Sequence, residues 1–273
     1  MKKNSKISSL PYIIWILIFT IIPFILVIWY AFTDNQTGAF TLDNVVNSSS
    51  YLPVLIKSVS LAFIATLICL LIAYPLAYIM SKKSAAVQRA FMMLIMLPMW
   101  MNFLLRTYAW MTILEDNGII NNILGFFGLP AARLINTSGA VVLGMVYNYL
   151  PFMILPLFSI MTKIDKSVIE AAQDLGCNPI TVIRKVVVPL SFPGIATGIT
   201  MTFVPCVSTF IISRLLGGSD CYLIGDLIEE QFKLKGVGFH VGSATSLVLM
   251  IVVLISMGIL NQFDSDEMED SIK

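Results

Sequence analysis

The sequence predicts an all-α membrane protein with six transmembrane helices and both termini on the same side of the bilayer. The first observation behind this fold class is composition, since 58% of the residues are hydrophobic and only 12% are charged. Soluble domains average about 45–50% apolar and about 25% charged residues, so these few charges cannot cover that much apolar surface. The second observation is that the long apolar runs are continuous, whereas a membrane β-barrel needs strands of alternating polarity.

Six apolar stretches are long enough to cross a bilayer, since a spanning helix needs about 20 residues. They are Leu10–Phe32, Val59–Met80, Phe91–Leu114, Val141–Ile164, Ile195–Leu216 and Ala244–Leu260. The first follows a basic start like that of a signal peptide. A signal-peptide core has only about 7–15 residues, however, and no small-x-small cleavage pattern follows this stretch. We therefore expect it to remain as the first span.

The basic residues predict the orientation of the spans, because loops rich in lysine and arginine stay in the cytoplasm. Eleven of them lie at the N-terminus, after the second and fourth stretches or in the tail, against four in the alternate loops. Both termini are therefore expected in the cytoplasm, as is the loop that contains Glu170. The other two are Arg106 and Arg214. We expect Arg106 to pair with Glu115 or Asp116, or to extend to the outer surface.

Neither a metal nor a cofactor is expected. The four cysteines are scattered without a Cys-x-x-Cys pair, and His240 is the single histidine. Zinc and iron–sulfur sites need closely spaced ligands. For His240, just before the sixth stretch, a structural or interfacial role is favoured over gating.

Two further features concern the spans and their outer loops. Residues Gly118–Phe127 carry isoleucines and a leucine on one side, as an interfacial helix would. Prolines interrupt most of the apolar stretches. They are either tolerated kinks or signs of a bundle that encloses a pathway.

An amphipathic helix is predicted in the loop between the fourth and fifth stretches. Its start matches a capping box, in which Ser167 and Glu170 satisfy each other's backbone N–H groups. Gly176 stands where a helix ends in the left-handed conformation. A stripe of apolar and small side chains, spaced i, i+3, i+4 and i+7, lets another surface approach the helix backbone. The stripe consists of Val168, Ala171, Ala172 and Leu175.

A second short helix is predicted directly after the first. It begins at Asn178, with Pro179 at the first helical position, and ends in the basic pair Arg184–Lys185. Pro189 and Pro193 are then expected to redirect the chain into the fifth span. A hairpin that only joins two spans would show the same pattern, so the spacing alone leaves its role open.

The loop resembles the signature segment, or EAA motif, of inner-membrane permeases of ATP-binding cassette importers. The matching residues are Glu170-Ala171-Ala172, Gly176 and Val186-x-Val188-Pro189, with valine where the family more usually has isoleucine and leucine. In that family the loop is a coupling helix that docks into a groove on a separate ATPase. The resemblance implies these ATPase-coupling residues: Ser167, Glu170, Ala171, Ala172, Leu175, Gly176 and Pro179.

The resemblance also implies domains and partners. A transmembrane permease domain covers residues 58–262, preceded by the first span and its loop (1–57) and followed by an acidic cytoplasmic tail (263–273). Importers of this class build their pathway from two permeases, so a second, related permease is expected, with cytoplasmic ATPase subunits and an extracytoplasmic substrate-binding protein. The expected location is the bacterial plasma membrane, with lipid but no nucleic acid as a partner. The chain itself is not expected to be an enzyme.

The expected cargo is a polyamine. The segments Leu215–Gly218 and Leu223–Phe232 resemble the spermidine/putrescine permeases of the family, although permeases for other small solutes share looser forms of them. Another small solute is therefore the alternative. Polyamines are flexible polycations, which need carboxylates, carbonyls or aromatic faces. The expected pathway residues are Asn102, Tyr108, Glu115, Tyr147, Asn148, Ser208 and Asp226. Outward carboxylates can instead be simply solvated, and aromatic residues can form an interfacial belt.

Two other classes of protein fit the sequence less well. An intramembrane enzyme needs an activated nucleophile or a metal set, but neither Gly-x-Ser-x-Gly nor His-Glu-x-x-His occurs. A self-sufficient secondary transporter commonly contains inverted repeats, and no internal duplication is evident. The phosphate-binding pattern Gly-x-x-x-x-Gly-Lys-Ser/Thr is also absent from the sequence, so the energy is expected to come from a separate ATPase.

Overall fold

A computed structural model describes residues 10–234 and 236–270 of the chain. Within these residues the structure is helical, and it contains no strand beyond one isolated bridge between Thr33 and Phe40. The expected all-α architecture is confirmed.

Five helices are long and apolar enough to cross a membrane, and a bent pair of helices is the sixth candidate. The first, second, fourth, fifth and sixth spans are Pro11–Ala31, Leu52–Ser81, Ser138–Met161, Pro179–Val207 and Gly238–Ile259. The third is the pair Ala85–Trp100 and Phe103–Phe126, bent by 88°. The expected number of six is met when this pair is taken as one span.

Shorter helices join the spans. They are Asp43–Ser48, Ser49–Tyr51, Ile119–Phe126, Lys166–Asp174, Ser213–Gly217, Gly218–Cys221 and Ile224–Lys233. The last helix runs through Val237–Asp270, so it extends beyond the apolar sixth span into the acidic tail. The final three residues of that tail lie outside the described part of the chain. The expected division into a permease domain with two flanking segments stays a prediction.

The third apolar run does not form one helix, so its expected continuity is wrong. It forms helices Ala85–Met96 and Phe103–Leu114, separated by a tight turn at Leu97–Trp100 that contains a proline. Proline lacks the N–H that a continuing helix needs. Asn102 then adopts an extended backbone, and its side chain accepts a hydrogen bond from the Leu104 N–H at 2.8 Å. A polar cap within an apolar run therefore starts a new helix in a new direction.

The fifth span begins earlier than expected, because the chain is helical without a break from Pro179 to Val207. Pro189 and Pro193 do not redirect it, so that expectation is wrong. A wide π-helical turn at Ile183–Val187 precedes the segment Val188–Val207, and Pro189 lies in the first turn of that segment. Proline lacks the backbone N–H that a regular helix uses, and the wide turn directly before it accommodates this missing hydrogen bond.

The described residues form two compact units, one within 10–55 and 227–254 and the other within 56–226 and 255–270. In the larger unit, the second and fourth spans share a buried cluster of mostly small and flexible side chains. Its members are Cys69, Ala73, Ala77, Met153, Ile154, Leu157 and Met161. The fourth and fifth spans also approach closely. A Cβ added at Gly198 would lie 2.7 Å from the Met153 sulfur and 3.3 Å from the Met153 carbonyl oxygen, so the missing side chain of glycine favours the close approach of these two helices.

In the smaller unit, the end of the first span packs against the sixth. Ala31, Ala244 and Leu247 are buried together. The ring of His240 is 7% exposed, and its Nδ1 lies 3.0 Å from the carbonyl oxygen of Tyr30 and also contacts the carbonyl oxygen of Thr33. Carbonyl oxygens only accept hydrogen bonds, so Nδ1 carries the proton. These contacts give His240 a structural role.

Candidate functional site

The helix of the fourth-to-fifth loop covers Lys166–Asp174, and Asp165 is its N-cap. The Asp165 carboxylate accepts a hydrogen bond from the Ser167 N–H at 3.0 Å. The expected capping box with Ser167 as the cap is therefore wrong, since aspartate is an equally good cap and starts the helix two residues earlier. The backbone N–H of Ser167, followed by its side chain, lowers the pKa of Asp165 below its ordinary value.

The turn after this helix is a Schellman motif. Gly176 has a φ of +82°, and its N–H donates to the Gln173 carbonyl oxygen at 2.8 Å. The N–H of Cys177 donates to the Ala172 carbonyl oxygen at 3.1 Å. These two bonds satisfy the last carbonyl groups of the helix, and the positive φ favours glycine. The left-handed glycine expected here is confirmed.

The second helix starts as the sequence predicts. The Asn178 side chain accepts from the Thr181 N–H at 2.8 Å, and Pro179 occupies the first turn. The two caps and the Schellman turn hold residues Lys166–Val182 in one defined shape. We call these residues the hairpin.

The hairpin presents apolar side chains that no other part of the described chain covers. Leu175 is 86% exposed and Ile180 is 77% exposed. Glu170, Ala171, Gly176 and Pro179 are exposed as well, whereas Ala172 is half-buried. The hairpin is therefore an ordered turn with two largely exposed aliphatic side chains at its tip.

A second feature of interest is a cavity of about 160 Å³ in the larger unit. The Tyr149, Ser208 and Thr209 side chains all line it, so the wall combines hydroxyl groups with aromatic faces. The lining residues come from the third span, the fourth span and the segment that ends the fifth. They are Phe103, Tyr149, Pro205, Ser208, Thr209, Phe210 and Ile211.

Three of the expected pathway residues lie on the spans that build this cavity. Ser208 lines it directly, and its hydroxyl donates to the Val204 carbonyl oxygen. Asn148 is 2% exposed; its Nδ2 donates to the Gly144 carbonyl oxygen at 2.9 Å, while its Oδ1 has no hydrogen-bond partner. Asn102 is exposed and serves as a helix cap.

The structure does not bring the other expected pathway residues into this cavity. Tyr108 and Glu115 are exposed, and Glu115 ends the helix Phe103–Leu114. The Tyr147 ring makes an edge contact with Trp110 at 5.4 Å between ring centres. Their roles in a pathway stay predictions.

Asp226 is 3% exposed and lies at the start of the helix Ile224–Lys233. Its Oδ2 accepts from the Leu223 N–H at 3.0 Å, which satisfies one orphan N–H of the helix start. At the preceding position, a Cβ on Gly225 would lie 2.7 Å from the Ser208 carbonyl oxygen. The Ile-Gly-Asp sequence therefore packs a helix start against the backbone of a cavity residue.

Arg106 was expected to pair with an acidic residue or to extend to the surface, and both expectations are wrong. It is 8% exposed, its Nε has no hydrogen-bond partner, and it makes no ion pair within the described part of the chain. Nine residues along a helix separate Arg106 from Glu115 by about 14 Å and place them on opposite faces. The guanidinium instead lies 6.0 Å from the centre of the Phe103 ring, which lines the cavity.

Comparison with known proteins assigns the class. The chain belongs to the family of binding-protein-dependent transport system inner membrane components, which matches residues 73–263. It is therefore a multi-pass protein of the bacterial inner membrane. Its fold is similar to that of a bacterial ABC transporter involved in the import of the acidic polysaccharide alginate, with a TM-score of 0.81 and 19% identity over 96% of this chain and 95% of that one.

Relatives of similar length include permeases named for spermidine and putrescine. The chain is 36% identical over 262 residues to the spermidine/putrescine transport system permease protein PotB of Haemophilus influenzae, covering 93% of this chain and 91% of that protein. It is 35% identical over 248 residues to the protein of the same name from Escherichia coli K12, covering 88% and 90%. The expected resemblance to permeases of ATP-binding cassette importers is confirmed.

Several residues of the cavity were not found by sequence reasoning, above all Phe103 and Thr209. They lie more than a hundred positions apart in the chain, so no local pattern joins them. The neighbouring hydroxyl residues Ser208 and Thr209, at the end of an apolar run, could have indicated this site. Two adjacent polar side chains are uncommon where a helix faces lipid. Among the described residues, no group of three or more histidine, cysteine or acidic side chains could hold a metal ion.

Proposed function

We propose that this chain is one membrane subunit of an ATP-driven importer of polyamines, and that it forms half of the pathway with a second, related permease. The observation that carries this proposal is the identity of 36% and 35%, across almost the whole chain, to two permeases named for spermidine and putrescine. The alginate transporter supports the fold alone, at 19% identity. The chain is non-catalytic, as befits a transport permease.

The proposed link to the energy source is the hairpin. The sequence has no phosphate-binding loop of its own, so a separate ATPase must act on the membrane helices. Leu175 and Ile180 are exposed at the tip of the capped turn. The helix Pro179–Val207 runs from this tip through the fifth span without a break. A displacement of the hairpin by the ATPase would therefore move the fifth spanning helix with it.

The proposed orientation places the hairpin and both termini in the cytoplasm. Eleven of the basic residues belong to the side that carries the hairpin, against four on the other side. An extracytoplasmic substrate-binding protein then delivers the cargo from the opposite face. One solved relative of this fold is a complex with an alginate-bound periplasmic protein, which supports such an arrangement.

The proposed pathway passes the cavity described above. Ammonium groups bind to hydroxyl and carbonyl oxygens and to aromatic faces. Tyr149, Ser208 and Thr209 supply hydroxyl groups there, and Phe103 supplies a ring face. The buried Oδ1 of Asn148 is an acceptor without a partner on the adjoining helix. The remaining pathway residues in the proposal are Asn102, Tyr108, Glu115, Tyr147 and Asp226.

Transport assays test the cargo. Cells that lack this chain should lose uptake of labelled spermidine or putrescine, and the gene supplied in trans should restore it. Amino acids, sulfate and phosphate should not compete. If cells that lack the chain still take up polyamines, and one of these solutes competes for uptake through the permease, the permease would be assigned to that other small solute. Transport by the purified chain alone in liposomes would contradict the need for an ATPase.

Gly176 provides a matched pair of variants for the coupling role. Any side chain here meets the same backbone strain, because φ is +82°. A Cβ at this position has no atom within 4 Å, so G176A and G176W differ only in bulk at the exposed tip. We expect G176W to separate ATP hydrolysis from uptake and G176A to retain most coupling. Equal loss in both variants would point to backbone strain, and normal uptake by G176W would refute docking.

A further inference from the structure

A notch separates the end of the second span from the helix that follows it. The helix Leu52–Ser81 ends, three residues turn the chain, and the helix Ala85–Met96 begins. A cavity of about 120 Å³ lies between the two helices. Its lining is apolar except for one lysine and one glutamine. The lining residues are Leu76, Ile79, Met80, Lys83, Val87, Gln88 and Phe91.

The apolar wall of this notch favours an apolar occupant over water. An ordered water molecule needs two to four polar partners, and most of the residues that line the notch supply none. Ile79 is 56% exposed and Val87 is 47% exposed, so the notch opens to the surroundings of the helices. Since this is a membrane protein, those surroundings supply hydrocarbon chains.

The turn beside the notch is held in place. The side-chain amide of Gln88 donates to the Ser81 carbonyl oxygen at 2.9 Å and to the Lys83 carbonyl oxygen at 3.0 Å. The Lys83 N–H donates to the Met80 carbonyl oxygen at 3.0 Å. The position of Lys83 at the notch is therefore fixed by backbone contacts that do not involve its ammonium group.

The two neighbouring lysines of the turn differ in what they contact. The Lys82 ammonium donates to the Tyr78 hydroxyl and lies 4.0 Å from the centre of that ring. The Lys83 ammonium makes no hydrogen bond or ion pair within the described part of the chain. No aspartate or glutamate occurs in the sequence between Asp43 and Glu115. A counter-charge for Lys83 is thus absent from this whole stretch of sequence.

We propose that the notch binds one acyl chain of an anionic phospholipid, and that Lys83 holds the lipid phosphate. The apolar wall accommodates the hydrocarbon, and the lysine beside it supplies the charge-assisted contact. Basic pockets at the membrane surface recognise anionic headgroups in this way. A zwitterionic lipid fits the same wall, but its own ammonium group competes for the phosphate, so the site favours an anionic headgroup.

Lipid exchange on the assembled complex tests the site. The complex, purified in mild detergent, is equilibrated with equal amounts of phosphatidylglycerol and phosphatidylethanolamine, and the tightly retained lipid is identified by mass spectrometry. We expect phosphatidylglycerol to be retained preferentially. A lysine near an anionic surface contributes about 1 kcal/mol, so K83Q should reduce the preference about fivefold.

Two further variants make the result specific. K82Q is the matched control, because it removes the same charge at the neighbouring position, from a lysine whose ammonium group is held by Tyr78 outside the notch lining; it should lower the preference clearly less than K83Q does. V87W fills the notch and should lower retention of both lipids. Equal effects of K82Q and K83Q, or retention without headgroup preference, would overturn the proposal. So would a V87W complex that retains lipid normally but dissociates into its subunits, since the notch would then hold a protein partner.

Discussion

The Arg214 Nε lies 4.0 Å from the Asp226 Oδ1, and the other oxygen of this carboxylate accepts a hydrogen bond from the Leu223 N–H. The Asp226 side chain is 5% exposed, whereas that of Arg214 is 47% exposed. The carboxylate is thus engaged at a helix start within its own chain. This structural role competes with the expected role of Asp226 as a ligand for polyamines.

Substitution of Asp226 separates these two roles. D226A leaves the buried Leu223 N–H without an acceptor, which should lower the free energy of unfolding by about 1–3 kcal/mol. D226N keeps an acceptor for this N–H and loses the attraction to a half-exposed arginine, which should cost less than about 1 kcal/mol. Thermal unfolding of the detergent-solubilised chain measures both. A raised KM for polyamine uptake by D226N, at unchanged stability, would instead support the pathway role.

Arg106 is expected to limit the passage of cations when no transport occurs. It is 8% exposed, it lies 6.0 Å from the ring centre of Phe103 at the cavity, and it makes no ion pair within the described part of the chain. An arginine at a constriction raises the electrostatic barrier to cations. R106M should therefore increase the ATP-independent leak of potassium or putrescine from proteoliposomes that contain the complex, and R106K should not.

The stability of R106M provides a second measurement. Replacement of an unpaired buried charge by an apolar side chain of similar length is neutral or stabilising, whereas loss of a paired charge costs about 3–5 kcal/mol. We expect the Tm of R106M to equal or exceed that of the wild type. A large decrease in Tm, without a leak, would show that a partner subunit supplies the counter-charge.

His240 should stabilise the smaller unit through its donated hydrogen bonds. The Nδ1–H group contacts the carbonyl oxygens of Tyr30 and Thr33 at the end of the first span. H240F keeps a ring but removes the donor, and unsatisfied buried carbonyl groups should lower stability by about 1–3 kcal/mol. H240Q retains an N–H donor and should recover part of this loss. Equal Tm values for H240F and the wild type would show that the ring alone provides the contact.

The Asp165 cap should make the hairpin sensitive to acid. Because the Ser167 N–H lowers the pKa of Asp165, the cap contributes its full stability above the unfolded pKa of about 4. That contribution is lost as the pH falls through the lower folded value. At pH 7, D165A should reduce hydrogen-exchange protection of Lys166–Asp174, and D165N, which keeps an acceptor, should reduce it less. A difference between wild type and D165A that persists well below pH 4 would contradict the cap.

The spans were predictable to the extent that apolar runs are continuous. The bounds of the third and fifth spans were predicted wrongly because the effect of a proline on a helix depends on where it lies. Pro98 lies in the short turn Leu97–Trp100, just before the helix breaks at Asn102. Pro189 lies in the first turn of Val188–Val207, directly after a π-helical turn, and the helix continues through it. In the hairpin, Gly176 and Asn178 behaved as local sequence preferences indicate. The cap at Asp165 was missed because a serine–glutamate pair nearby matched the capping-box pattern as well.

By itself, the sequence determined the fold class, the family, the turn at Gly176 and the absence of a phosphate-binding loop, because each depends on composition or on residues close together in the chain. The tertiary structure decided which polar groups are buried and with which partners. It placed Arg106 near the Phe103 ring and away from Glu115, engaged Asp226 at a helix start, and left Lys83 without a counter-charge beside an apolar notch. The physical reason is that burial and ion pairing depend on the distances between helices. The spacing of residues within one helix does not determine those distances.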